Sequence, residues 1–315
     1  MRRFNTNGYE ILGTADYERH FTDAMRGRAK SSDLLTRGTD ISTGGFILPY
    51  SFDEKYINAV TKKSLFRNMA TVINAMGTSS RIYAKDCDDL AEWVAEGGTI
   101  PIYDGTDDFT KYSVDLHKLA VFVKLDDDFI HDVSFDIDKY LTDRLAKNFA
   151  EAEDNAFING TGEDEPTGIL NETGGAQTGI TTDEIGFDDI ISLYFSLDKE
   201  YRKNAVWLMN DDTALTVRTL KDSSGNYLWN PYDGTLLGKQ VAISYDMPSV
   251  ESGAAPIAFG DLSYYWIINR SLISVRPLKE KFVTYDQTGY LAFEFLDGKL
   301  IRPEAIKTLK ISDSE

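Results

Sequence analysis

A chain of 315 residues that is 42% apolar and 12% aromatic can bury the core of one or two domains, which excludes a disordered chain. Its 33 basic and 51 acidic residues give a formal charge of −18, the opposite of what a protein that grips nucleic acid by its phosphates needs. Cys87 is the only cysteine, so an intrachain disulfide and a Cys-built zinc centre are both excluded.

No apolar run approaches the roughly 18 residues of a membrane span, and the opening MRRFNTNGYEILG lacks an apolar signal core, so synthesis in the cytosol is expected. His20, His117 and His131 stand too far apart to suggest metal or triad chemistry. Along the chain, the first 40 residues are polar except ADYERHFTDAMRGRAK, where Tyr17, Phe21 and Met25 recur every four residues and predict a helix at 15–28. One apolar stripe flanked by charge requires a partner. In STGGFILPY, Gly44-Gly45 breaks the chain and Phe46 to Pro49 starts an extended element, which sets a boundary near residue 45. SFDEKYINAVTKKSLFRNMA reads as a helix on Phe52, Tyr56, Ala59 and Val60, restarted at Ser64 for Leu65 to Met69.

From Gly77 to Ser113 the pattern changes to Gly, Pro and Asp punctuation with large aromatics and no steady period. Connections inside a compact domain run ~4 to 6 residues, so a two-stranded arm leaving the domain is the economical reading. Its Ile82, Trp93, Val94, Ile100, Ile102, Tyr103 and Phe109 imply another chain to cover them. In VDLHKLAVFVKLDDDFI, Leu119, Val121, Val123 and Leu125 alternate with Ala120, Phe122 and Lys124, as in a strand with one buried face. The triplet Asp126-Asp127-Asp128 then reads as a helix start that favours carboxylates rather than a metal site.

DIDKYLTDRLAKNFAEAEDNAFI predicts a long helix with Ile137, Leu141, Leu145, Phe149, Ala152 and Ala156 on one side and Asp136 as N-cap. The NGTG run that follows lies after a helix rather than before one, so its glycines do not aim free N–H groups at a phosphate. A C-cap with a left-handed residue at Asn159-Gly160 is expected instead. GFDDIISLYFSLDKEYRKNAVWLMNDDTALTVRTL reads as helix, strand, helix, with Val206 to Met209 as the strand and Asn210, Asp211 or Asp212 as the cap. With the strands of GKQVAISYDMP and APIAFGDLSYYWIIN this marks a second domain at 180–270. The tail strands SLISVRPL, YLAFEFLDGKL and AIKTLKI alternate as antiparallel strands and are expected to return to the long helix.

Nine segments taken in order, YERHFTDAMR, STGGFILP, AEWVAEGG, KLAVFVKLDDDFIHD, FINGTGEDEPTGIL, VWLMNDDTALTVRTLKDSSGNYLW, LLGKQVAISYDMP, IAFGDLSYYWIINR and DGKLIRPEAIKTL, resemble the major capsid proteins of tailed phages with the Hong Kong 97 fold. The resemblance covers residues 15 to 312. It implies an α+β chain with an N-terminal arm at 1–45, a peripheral domain at 46–76, 114–179 and 271–315, an extended loop at 77–113 and an axial domain at 180–270. It implies a structural protein, not an enzyme, with no catalytic, cofactor or metal residues. Such subunits form hexamers and pentamers that close into an icosahedral shell around double-stranded DNA without reading its sequence. Trp93, Ile100, Ile102, Tyr103, Phe109, Tyr17, Phe21 and Met25 are then the candidate subunit contacts. Portal and scaffolding proteins, and a maturation protease or decoration protein, are the further partners implied.

Many members carry a long scaffolding segment before the arm, whereas here only the helix at 15–28 precedes it. A separate scaffold or a shortened chain follows. The founding member's lysine to asparagine cross-link is also not expected: the lysine position falls on Ile100, the acceptor falls on or beside Tyr285 or Asp286, and Glu294 aligns with the assisting carboxylate. Two alternatives are a nanocompartment shell packaging proteins and a soluble acidic hydrolase using Asp126 to Asp128 or Glu163 to Glu165.

Overall fold

The computed structural model describes residues 14–26, 28, 39–40, 45–47, 49–75, 81–85, 109–132, 134–221, 224–227, 229, 234–270, 273–278 and 281–313. In chain order the N-terminal part gives α1 (Ala15–Met25), β1 (Thr39–Asp40), β2 (Gly45–Ile47), α2 (Tyr50–Lys63), α3 (Leu65–Met69) and β3 (Thr71–Asn74). Then come β4 (Arg81–Lys85), β5 (Phe109–Ser113), β6 (His117–Asp126), α4 (Asp127–His131) and the long α5 (Ile137–Asn159). The rest comprises β7 (Gln177–Thr182), α6 (Phe187–Ser196), β8 (Val206–Met209), α7 (Asp211–Thr219), β9 (Thr235–Leu236), β10 (Lys239–Ile243), β11 (Ile257–Gly260), β12 (Tyr265–Asn269), β13 (Ser274–Leu278), β14 (Gln287–Leu300) and β15 (Ile306–Ile311).

α5 starts where Asp136 accepts a hydrogen bond from Lys139 N at 3.0 Å. Its buried stripe follows the predicted Ile137, Leu141, Leu145 and Phe149, and then continues at i+4 through Glu153 and Phe157. Ala152, expected inside, is exposed, because the face that a helix presents one residue earlier has already rotated away. The helix ends at Gly160, but with φ −58° rather than a left-handed conformation. Glycine is needed there for closeness: a Cβ would run into the carbonyl oxygens of Pro166 and Ala156. The left-handed turn comes two residues later, at Gly162 with φ +82°.

A seven-stranded sheet runs in the order β1-β2-β13-β14-β12-β3, with β6 on the free edge of β14. β14 is its axis. β6 pairs antiparallel with it from Gln287 to Leu296, while β13 and then β12 share its other edge. The alternation read in β6 is present, with Val123 and Leu125 buried and Phe122 and Lys124 exposed. α1, α2 and α5 cover one face of this sheet in a single core that includes Tyr290 and Ala292 of β14.

A six-stranded sheet follows the order β7-β15-β11-β8-β10-β9. β8 fills the predicted buried position, and Trp207 stacks on Phe259 of β11 at 4.1 Å between ring centroids. Asn210 is the residue that caps α7, accepting from Thr213 N at 2.7 Å. The tail divides between the sheets. β13 and β14 return to the long helix as expected, but β15 sits between β7 and β11, and β12 belongs with β14. Antiparallel alternation fixes a strand's buried face without naming its partner, which is why the 180–270 and 271–315 blocks do not coincide with the two sheets.

Candidate assembly surfaces and buried polar clusters

β4 and β5 form a separate antiparallel pair, in register from Arg81 opposite Ser113 to Lys85 opposite Phe109. This is the root of the expected arm. Trp93, Ile100, Ile102 and Tyr103 lie outside the described residues, as does the side chain of Phe109. The root is tied to the end of β14: Tyr112 Oη donates to Ile301 O at 2.7 Å, and Lys299 Nζ donates to Ser113 O at 2.8 Å.

Beside it, Lys299 Nζ pairs with Asp115 at 2.8 Å and with Asp297 at 3.6 Å. Asp297 is fully buried and accepts from the Asp115 and Gly298 backbone N–H groups, both at 2.8 Å. Burial pushes its carboxyl above the usual range, whereas the hydrogen bond from Lys299 holds Asp115 below it. Asp115, His117 and Asp297 bring three metal-capable atoms within 4.8 Å of one another, with the Lys299 ammonium already supplying the local positive charge.

Tyr17, Phe21 and Met25 are not waiting for another subunit. They are 2%, 3% and 0% exposed within their own chain. Phe21 packs on Phe52 of α2, and Met25 O accepts from Tyr290 Oη at 2.8 Å. Thr22 donates to Asp138 of α5 at 2.8 Å. The expectation that this stripe is a subunit contact is corrected: a core formed from distant parts of the same chain fills the role of the missing partner.

Sequence reading also missed a buried charge cluster. Arg67 of α3 donates from Nε to Glu153 of α5 at 2.6 Å, and Tyr56 of α2 donates to Glu294 of β14 at 3.3 Å. Burial, followed by repulsion from Glu153, raises the Glu294 carboxyl well above its ordinary range. Charged residues at these positions look like solvated surface in a sequence; the signal available was the i+4 spacing of Glu153 from Phe149. In the Asp126 to Asp128 triplet, Asp126 accepts from Gln287 at 2.7 Å, and Asp127, where α4 begins, accepts from Thr288 at 2.8 Å. Glu165 closes its own turn by accepting from Thr161 N at 3.1 Å.

Tyr245, Phe195 and Leu215 in the six-stranded part are 86%, 64% and 63% exposed.

A model of the Phage capsid family matches residues 44–311. No curated protein matches. Among solved structures, the capsid of a native GTA particle computed with C5 symmetry is similar at 31% identity and TM-score 0.65, over 79% of this chain and 90% of that one. The capsid of an empty GTA particle gives 31% identity and TM-score 0.68 over the same shares. A chain of Microbacterium phage Oxtober96 shares the fold at 16% identity and TM-score 0.58, over 79% of this chain and 91% of that one.

Proposed function

Starting from a chain that belongs to the phage capsid family and is a major capsid protein with the Hong Kong 97 fold, we propose how it builds its shell. Copies associate as hexamers and pentamers that close into an icosahedral container for double-stranded DNA. The observation that carries this reading is the family match over residues 44–311, which takes in both sheets and the arm root between them. The 31% identity to GTA capsids favours it over the protein-packaging nanocompartment.

The arm extends from β4 and β5 over a neighbouring subunit, with Trp93 as its anchor. A charge of −18 suits a wall that must not hold its cargo tightly, so the DNA is contained without sequence-specific binding. In this reading the seven-stranded sheet with α5 serves as the peripheral part and the six-stranded sheet as the axial part, so that β12 counts with the first and β15 with the second. A portal and a scaffolding protein complete the assembly in the host cytoplasm, and a maturation protease or decoration protein acts on it afterwards. Electron microscopy of the expressed protein tests the central point. Uniform closed particles are expected; a preparation that stays monomeric at every concentration, with and without a co-expressed scaffold, overturns it.

A further inference from the structure

His117 opens β6 opposite Leu296 of β14, and Asp297 is the next residue of β14. Asp115 lies just before His117, where the chain passes from β5 to β6. The separation of 182 positions between Asp115 and Asp297 hides this meeting in the sequence. The Asp297 carboxylate is held from behind: Oδ1 accepts from Gly298 N and Oδ2 from Asp115 N, both at 2.8 Å. Each bond uses one lone pair, so each oxygen keeps another. His117 is 7% exposed. Among the described residues its ring makes no hydrogen bond, since Nε2 stands 3.6 Å from Asp297 Oδ1, too long for one.

A buried imidazole without such a bond, aimed at an oriented buried carboxylate, has the arrangement of two metal ligands. Two donors of one tetrahedral zinc ion stand about 3.3 Å apart, close to the separation seen here. Asp115 supplies the third donor. All three atoms lie within 4.8 Å of one another, and the Asp115 side chain, 55% exposed, can close the remainder by rotation. Against these two carboxylates stands one ammonium. Lys299 Nζ is 2.8 Å from Asp115 and 3.6 Å from Asp297, but it also donates to Ser113 O at 2.8 Å, so it can leave the carboxylates and retain a partner.

We propose that Asp115, His117 and Asp297 bind a divalent transition ion of the zinc class, which displaces the Lys299 ammonium from between the two carboxylates. One imidazole with two carboxylates suits such an ion, whereas calcium and magnesium prefer a shell of about six or more oxygens. Water takes the fourth position. Because Asp115 follows closely on the end of β5, the ion ties the root of the β4–β5 pair to β6 and β14. Lys299 makes a weaker form of the same joint.

The test uses the full chain, stripped of metal by a chelator and titrated with Zn²⁺ or Co²⁺ alone. Wild type is expected to take up one equivalent, with cobalt giving the visible absorption of a four-coordinate nitrogen and oxygen site. His117→Ala and Asp115→Asn should each weaken binding by about tenfold or more. Circular dichroism checks folding, and the exposed Asp115 keeps the test decisive if the His117 variant fails to fold. Lys299→Met removes the competing charge and should tighten binding by about tenfold. No stoichiometric uptake by wild type overturns the proposal. Unchanged affinity in the folded ligand variants overturns it too, because the ion then sits elsewhere on an acidic chain. Weaker binding by Lys299→Met overturns the displacement, and equal affinity for calcium overturns the assignment to the zinc class. Hydrogen exchange reads the joint itself: zinc should slow the amides of Val114 to Lys118 in wild type but not in Asp115→Asn, and equal exchange with and without zinc overturns the tie.

Discussion

Ser64 and Asp154, 90 positions apart, meet at 2.6 Å, with the serine hydroxyl donating to the carboxylate. Asp154 also accepts from Leu65 N at 2.8 Å and Phe66 N at 3.2 Å, so a side chain of α5 caps α3 from outside while Ser64 caps it from within. Asp154→Ala leaves these buried donors unpaired and is expected to cost about 2–3 kcal/mol, with Asp154→Asn milder because one acceptor remains. Urea unfolding of the unassembled subunit measures it. An unchanged midpoint in the alanine variant would show that the cap contributes nothing.

The buried Glu294 predicts an alkaline weakness. Its folded pKa is raised above the ordinary 4.5, so its contribution to stability is complete below that value and is lost as pH rises through the raised one. Glu294→Gln carries no charge to bury. Wild type should therefore fall behind the variant progressively as pH rises above the ordinary carboxylate value. Parallel stability profiles for the two proteins would rule out a buried, protonated Glu294.

Met25→Ala empties a fully buried position and should destabilise the unassembled subunit by about 2–5 kcal/mol. This outcome distinguishes a helix built into the subunit core from one that orders only in the shell. If the free subunit were indifferent to the substitution, α1 would belong to assembly instead.

These three cases mark what the sequence makes legible. α5 was readable because Asp136 and an i+4 apolar series are local signals, and β6 because alternation has a period of two. The burial of Glu153, Asp154 and Glu294 was not readable, since each depends on a partner at least 86 positions away. The same holds for α1, whose Met25 meets Tyr290 across 265 positions. Of the candidate contacts, Tyr17, Phe21 and Met25 were misassigned for this reason: an amphipathic stripe states that it needs cover but not whose. The stretch at 77–113 stood out as an interruption of pattern, and β4 and β5 pair near its two ends.

Trp93→Ala should weaken assembly by about 2 kcal/mol or more while leaving the subunit folded. Light scattering during assembly, compared at matched subunit concentration, reads the difference. Assembly equal to wild type would remove Trp93 as the anchor.

A shell held by non-covalent contacts should dissociate completely in hot detergent. Ile100 has no amine to attack a carboxamide, so a denaturing gel of mature particles is expected to show one band at or below 35.4 kDa. A ladder of multimers that survives reducing agent would mean that covalent joints exist elsewhere.

The place of β15 between β7 and β11 has a consequence for biosynthesis. Both flanking strands leave the ribosome well before residue 306, yet their facing edges stay unpaired until the intervening strand arrives. One of the two sheets is thus finished only when nearly all of the described chain has been made. A nascent chain that has not yet reached β15 therefore lacks the strand that joins β7 to the rest of this sheet.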